Sequence, residues 1–142
     1  MEPMRSKRFN DTWMLRIDRG EEIMQSLQSL CEQEGIRLAE VNAIGAADYA
    51  VIGVYDLETQ SYHREELNGF MEIAGLSGSV TAMDGKPYIH LHTTLAGQDH
   101  TVHGGHVIEM RVGATCEMFV RMLEGETGRE KDPDLGINLW TF

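Results

Sequence analysis

The chain has 142 residues, of which 42% are hydrophobic and 25% are charged, as expected for one globular domain with its own core. Its net charge of −11 disfavours direct DNA binding, because Lys and Arg side chains supply most of a protein's affinity for phosphates. The apolar runs are too short to span a membrane, and the basic N-terminus is not followed by the apolar segment of a secretory signal. We therefore expect a cytoplasmic protein.

The N-terminal segment holds the one basic cluster of the sequence, which consists of Arg5, Lys7 and Arg8. Residues 1–8 are predicted to form a flexible N-terminal tail, and residues 9–142 are predicted to form a single domain. The first predicted strand covers residues 12–18, because apolar and polar side chains alternate along it.

One helix is predicted directly after Glu21 and Glu22, two acidic residues that suit the positive end of a helix. Four residues recur with the spacing of one helical stripe: Ile23, Leu27, Leu30 and Cys31. Gly35 follows as the expected C-cap. Cys31 and Cys116 both fall within apolar patterns, and two cysteines are too few for a disulfide framework. We therefore expect buried thiols, with a catalytic thiol as the alternative.

Beyond the helix the sequence is rich in β-branched and aromatic residues, which favour strands. Strands are predicted over residues 37–43, 49–55, 61–67, 70–83, 88–95 and 101–110, with a break at residues 45–47. Residues 112–123 fit either a bent strand or a short helix, residues 124–135 fit a loop, and residues 137–142 fit a last strand. One main helix followed by a mostly antiparallel, bent sheet is typical of the α+β class.

A histidine-rich hairpin over residues 88–107 is the main candidate for a functional site. His90 and His92 are two positions apart on one predicted strand, so both imidazole rings project from the same face, about 7 Å apart along the chain. This separation allows two ring nitrogens to converge on one metal ion.

The third candidate ligand follows from the register of the hairpin. The turn lies around residues 97–100, so the numbers of paired residues sum to roughly 197 or 198. The larger sum places His106 opposite His92, and the smaller sum places Gly105 there. Gly104 and Gly105 could also form a bulge that re-aims His106. His106 is therefore predicted to reach the same patch as His90 and His92.

The other three histidines are not predicted to belong to this site. His100 lies in the turn, His103 is three positions from His106 and faces the other side of a regular strand, and His63 lies on a separate polar strand. Three histidines on a curved sheet would suit a divalent metal ion with water or a substrate as the fourth ligand. A surface or hydrogen-bonded pair of histidines is the alternative.

Three motifs at and near these residues carry a resemblance to a known family: Glu-Ile-Ala-Gly-Leu-Ser-Gly-Ser at 72–79, His-Leu-His-Thr-Thr-Leu-Ala-Gly at 90–97 and Val-His-Gly-Gly-His-Val at 102–107. Val-Asn-Ala-Ile-Gly at 41–45 and Gly-Val-Tyr at 53–55 fit the same pattern. Over about residues 9–140, the chain resembles a prokaryotic stand-alone member of the plants-and-prokaryotes-conserved (PPC) domain family.

The resemblance implies an α+β fold, a homotrimer and, as in some prokaryotic members, metal binding through His90, His92 and His106. The family fold is similar to that of acetolactate decarboxylase, a zinc enzyme with a three-histidine site, so zinc is the expected metal. The family is also commonly described as DNA-binding, since plant members join the domain to AT-hook segments. This chain lacks the Arg-Gly-Arg core of an AT-hook.

Three functions are consistent with these residues. In the first, a metal site binds or transforms a small molecule, since zinc lowers the pKa of bound water to about 7 or polarises a carbonyl. Glu72 and Glu109 are then the candidate bases; Glu72 is preferred because it lies in an otherwise apolar strand, with a carboxylate facing solvent or the trimer seam as the alternative. The second function is DNA or protein binding by a regulatory module. The third is a metal-stabilised structural trimer without turnover.

Overall fold

The computed structural model describes residues 5–142. Within this part of the chain, one helix and eight strands follow each other as β1 (Arg5–Phe9), β2 (Thr12–Asp18), α1 (Ile23–Glu34), β3 (Ala39–Asp56), β4 (Ser61–Met83), β5 (Lys86–Ala96), β6 (Val102–Met122), β7 (Gly128–Lys131) and β8 (Asn138–Thr141). The strand pairs are antiparallel. The predicted α+β class, with a mostly antiparallel sheet and one main helix, is therefore confirmed.

Helix α1 packs its predicted apolar stripe into the core and ends at Gly35, which adopts a left-handed conformation with φ of 64°. Its N-terminus is capped by Glu22, whose carboxylate accepts hydrogen bonds from the backbone N–H groups of Met24 and Gln25. The same carboxylate accepts a 2.9 Å hydrogen bond from the backbone N–H of Met110 on β6. Glu22 thus joins the start of the helix to the middle of the sheet.

Three strands are longer than the sequence predicts. Strands β3 and β4 each join two predicted segments, and the register between them shifts at Ala43/Gly45 and Ala47/Tyr49. The break predicted at residues 45–47 is therefore a pair of irregularities within one strand, because the backbone stays hydrogen-bonded on both sides. Residues 112–122 continue β6, so the strand alternative is confirmed over the helix.

The main sheet has the order β1-β2-β6-β3-β4-β5, and β5 also pairs with the first part of β6. Strands β3, β4, β5 and β6 consequently form a closed ring, while β1 lies at an open edge. The core fills the inside of this sheet beneath α1 and includes both cysteines. Burial raises the pKa of the Cys31 and Cys116 thiols to about 12, as expected for buried thiols and not for catalytic ones.

Two segments differ from the sequence predictions. Residues 5–8, which were expected in a flexible tail, form β1 together with Phe9. Strand β1 pairs with β2 across a tight turn at Asn10. All side chains of this edge strand are exposed, so no alternation of apolar and polar residues predicts it. Residues 1–4 of the predicted tail lie outside the described residues. Residues 128–131, expected in a loop, form β7 and pair with β8 in a separate two-stranded sheet. Within residues 5–142, no helix has the length and apolar character needed to cross a membrane.

Candidate metal centre

The three candidate histidines meet where strands β5 and β6 pair. His90 and His92 project from the same face of β5, and His106 lies directly opposite His92 on β6. The larger of the two register sums is thereby confirmed. His106 also pairs with Gly53 of β3, so it lies at the point where the sheet closes.

The imidazole rings are close enough for their nitrogens to share one ion. The Nε2 atoms of His90 and His92 are 3.0 Å apart, and one nitrogen from each of the three rings lies within 4.8 Å of the others. Two nitrogens bound to one tetrahedral ion at about 2.0–2.1 Å lie roughly 3.4 Å apart, so an ion would draw the wider of these pairs closer together. In addition, the Nδ1 atom of His106 is buried and has no hydrogen-bond partner among the described residues. The donor set therefore fits a divalent metal ion.

Two glycines explain how the strands bring these rings together. A Cβ atom on Gly105 would lie only 2.7 Å from the carbonyl oxygen of Gly53, so only glycine allows β6 to approach β3 next to His106. Likewise, a Cβ on Gly78 of β4 would overlap the backbone carbonyl of His90. The bulge considered for Gly104 and Gly105 is absent from the β5–β6 register of the described residues, because these glycines serve close packing instead.

The environment keeps two of the rings neutral. Burial, followed by the neighbouring His92, His106 and Arg129, lowers the pKa of His90 to about 4. Burial and His92 also lower the pKa of His106. Since a metal ion binds only the neutral imidazole, both rings have a free nitrogen lone pair at neutral pH.

A cavity of about 490 Å³ opens beside the histidines. The β7–β8 sheet and three tyrosines form much of its wall, together with backbone of β3 and β6; the lining side chains include Tyr55, Tyr62, Tyr88, Arg129, Ile137 and Asn138. The Tyr62 ring packs against the His106 ring with centroids 4.9 Å apart. The hydroxyl of Tyr55 donates a 2.7 Å hydrogen bond to the carbonyl of Leu135, which ties the segment before β8 to the main sheet.

Arg129 is the cationic residue of this cavity wall. Its Nε donates to the hydroxyl of Thr81 at 2.9 Å, and its Nη1 donates to the carbonyl of Asn138 at 2.8 Å. The guanidinium group lies over the Tyr88 ring, 4.4 Å from its centroid. Sequence reasoning missed the role of Arg129 and the tyrosines in this cavity because they come from separate elements. The one available signal was their charge and aromatic character.

The structure keeps the three histidines that were excluded from the site, and the two candidate bases, away from the cavity. The His63 ring bonds to the carboxylate of Asp56, and Nδ1 of His103 lies 3.4 Å from Oε1 of Glu65. His100 lies in the turn with φ of 68°. Glu72 is exposed and pairs with Ala96, four residues or roughly 13 Å along β5 from His92. Neither Glu72 nor Glu109 lines the cavity within residues 5–142.

The protein thus belongs to the class of small α+β proteins in which a closed antiparallel sheet carries a three-histidine cluster beside a tyrosine-lined cavity. The family model described as the Plants and Prokaryotes Conserved (PCC) domain matches residues 4–124, and the chain belongs to this family. The predicted family is thereby confirmed. No curated protein matches the chain significantly.

Solved structures of similar proteins cover essentially the whole chain. A metal-containing protein from Archaeoglobus fulgidus is 38% identical with a TM-score of 0.88, and each chain is covered to 100%. A plant- and prokaryote-conserved protein from Pyrococcus horikoshii is 31% identical with a TM-score of 0.87, covering 100% of this chain and 96% of that one. A protein from Bacteroides thetaiotaomicron described as a "putative DNA binding protein" is 26% identical with a TM-score of 0.96 and 99% coverage of both chains.

The fold is also similar to that of acetolactate decarboxylase from Bacillus subtilis. The TM-score is 0.59 at 14% identity, over 85% of this chain and 57% of the decarboxylase. This likeness confirms the predicted fold relationship and extends no further than the fold.

Proposed function

We propose that this protein binds a divalent metal ion, with zinc as the expected metal, through His90, His92 and His106, and that the metal site binds a small molecule. The observation that carries the proposal is the convergence of three imidazole nitrogens within 4.8 Å of one another. The A. fulgidus relative, which is described as metal-containing, supports it. Three protein ligands leave one coordination position for water or the small molecule, as in catalytic zinc sites.

A zinc ion bound here would act as a Lewis acid, which polarises a carbonyl or lowers the pKa of a bound water to about 7. The protein's own residues hold and orient that group. The Tyr62 ring braces His106 on one side, and the glycine-lined contact between β6 and β3 fixes its backbone. Since His92 is exposed whereas His90 and His106 are half-buried, the cluster opens toward solvent on the His92 side.

Elemental analysis of the purified protein tests this proposal. We expect about one metal ion per chain in the wild type, and zinc as that metal. His92→Ala should lose the metal, since a three-ligand site retains only two ligands, whereas His103→Ala should keep it because this histidine of the same hairpin lies outside the cluster. Unchanged metal in His92→Ala, or a wild type with far less than one ion per chain, would defeat the assignment. A different metal would overturn only the choice of zinc.

We also propose that the protein assembles as a homotrimer in which residues 5–142 of each chain, the predicted domain 9–142 together with the rest of β1, form one domain. An exposed apolar groove between β2, β3 and β6 supports an assembled state. We call it the outer groove; it contains Met14, Ile44 and Phe119, which are 46%, 59% and 50% exposed. Exposed apolar patches of this kind are typical of interaction surfaces. A trimer whose melting temperature falls on chelation, without any small-molecule binding, would instead favour the purely structural role.

DNA binding is the second candidate function. Arg5 and Arg16 are cross-strand neighbours on the β1–β2 hairpin, and Lys7 lies on the same edge strand, so three basic side chains share one exposed surface. The B. thetaiotaomicron relative carries a DNA-binding description. A gel-shift titration with random duplex DNA at low and then rising salt tests this function, because phosphate contacts weaken steeply with salt. Absence of any shift at low salt would exclude it.

A further inference from the structure

The cavity beside the histidines contains no acidic side chain among the residues that the structure describes, although the chain has 23 Asp and Glu residues. Its one ionised group is the Arg129 guanidinium, and no Asp or Glu within residues 5–142 forms an ion pair with it. The surface of the protein is therefore strongly negative while this cavity is positive.

The inference drawn from this contrast rests on the proposed metal site. With a divalent ion on the three neutral histidines, the cavity carries two positive charges from the ion and one from Arg129. Positive charges in a partly desolvated cavity are costly unless negative charge balances them. Since residues 5–142 supply no carboxylate there, a ligand is the expected source of the balancing charge.

Arg129 is held in a position that suits recognition of an anion. Its bonds to Thr81 and Asn138 use two of the five N–H groups of a guanidinium, which leaves three beyond those two bonds. The Tyr88 ring supports one face of the group. An arginine fixed in this way binds a carboxylate with two parallel hydrogen bonds, at little further cost in side-chain entropy.

The other walls of the cavity favour an anion that carries an organic group. Tyr55, Tyr62 and Ile137 contribute ring and aliphatic surface, and the volume of about 490 Å³ lies within the usual range for small-molecule sites. Inorganic phosphate would fill a small part of this space and would make no use of the aromatic walls. We propose that the cavity binds a small organic carboxylate, whose carboxylate group pairs with Arg129 and whose body lies against the tyrosines beside the metal site.

Isothermal titration of metal-loaded wild-type protein with benzoate and lactate tests the proposal. Their uncharged isosteres, benzamide and lactamide, are the matched controls, and inorganic phosphate is the control for charge without an organic body. We expect at least one carboxylate to bind, its amide to bind roughly tenfold or more weakly, and phosphate to bind more weakly than that carboxylate. Arg129→Gln should weaken carboxylate binding by a similar factor, and Arg129→Lys should restore part of it, with the metal content unchanged in both variants.

The outcomes separate this inference from the metal assignment. A wild type without metal defeats the proposed function, whereas a metal-loaded protein that binds neither carboxylate up to millimolar concentrations defeats only the inference. Equal affinities for acid and amide, or tighter binding of phosphate, would also overturn it. If Arg129→Gln does not fold, the comparison of acid with amide on the wild type decides the question.

Discussion

The closed end of the sheet and its open edge are built differently. At the closed end, β5 and β6 pack so tightly against β3 and β4 that Gly105 admits no Cβ, and the side chains that face outward surround a cavity. At the open edge, β1 pairs only with β2 among the described residues, and the outer groove beside it exposes apolar and basic side chains. The close backbone contacts at the closed end fix the positions of the histidine rings, whereas the open edge exposes a surface suited to contact with another chain. The proposed ligand binding and the proposed assembly thus involve separate surfaces, which separate substitutions can test.

The largest effect is expected from Phe119→Asp in the outer groove. If the proposed trimer forms through this groove, a charged side chain there would be buried between subunits without a partner. The trimer should then dissociate, and the mass in solution should fall roughly threefold. The metal content should stay at the wild-type value, because one chain supplies all three candidate ligands. Light scattering coupled to size-exclusion chromatography measures the mass. Phe142→Asp, which changes a fully exposed phenylalanine outside the groove, should leave it unchanged. A Phe119→Asp protein that keeps the wild-type mass would contradict this use of the groove.

The next effect concerns the closed end, where Gly105→Ala should open the contact between β6 and β3. The added Cβ would lie 2.7 Å from the Gly53 carbonyl oxygen, so the strands must separate. We expect the free energy of unfolding to fall by about 1–3 kcal/mol, with a lower metal content because His106 is the next residue. Denaturant unfolding and elemental analysis measure both. Gly97→Ala in the same hairpin is the control, since its nearest neighbour is a side-chain oxygen at 3.4 Å. Wild-type stability and metal content in Gly105→Ala would show that the contact is not needed.

A smaller effect is expected at Glu22, which lies between the two ends of the sheet. Glu22→Ala removes the acceptor for the N–H groups of Met24, Gln25 and Met110, and we expect a loss of about 1–2 kcal/mol in urea unfolding. Glu22→Gln keeps one acceptor oxygen and should lose less. If both variants unfold at the wild-type urea concentration, the carboxylate is not what joins the helix to β6.

Much of the closed end was predictable because its geometry is local. The spacing of His90 and His92 sets their common face, and the short turn at residues 97–100 sets the register that brings His106 opposite His92. Both depend on residues within one hairpin. The helix was predictable for the same reason, since its stripe and its C-cap at Gly35 are local signals.

The rest depends on contacts between residues far apart in sequence. Arg129 reaches the cavity because β7 pairs with β8 and because its guanidinium bonds to Thr81, 48 residues earlier. Strand β1 carries only exposed side chains, so no alternation marks it. The hypothesis that Glu72 acts as a base rested on its motif and its apolar strand, and neither feature indicates how far along the strand a residue lies from the histidines. The ligand role of the three histidines remains a prediction.

The smallest effect concerns the response of the metal-free protein to acid. The pKa of His90 is lowered to about 4 from 6.5, so the unfolded chain binds a proton at this residue in the window between these values and the folded chain does not. The His90 contribution to stability is therefore fully present above pH 6.5 and is lost as the pH falls toward 4. We expect the melting temperature of metal-free protein to decrease by a few degrees between pH 7 and pH 5. His90→Asn should flatten this decrease, because asparagine does not titrate. His63→Asn, at an exposed histidine paired with Asp56, should keep it. An equally steep decrease in His90→Asn would mean that the acid sensitivity arises from other groups and not from the burial of His90 at the closed end.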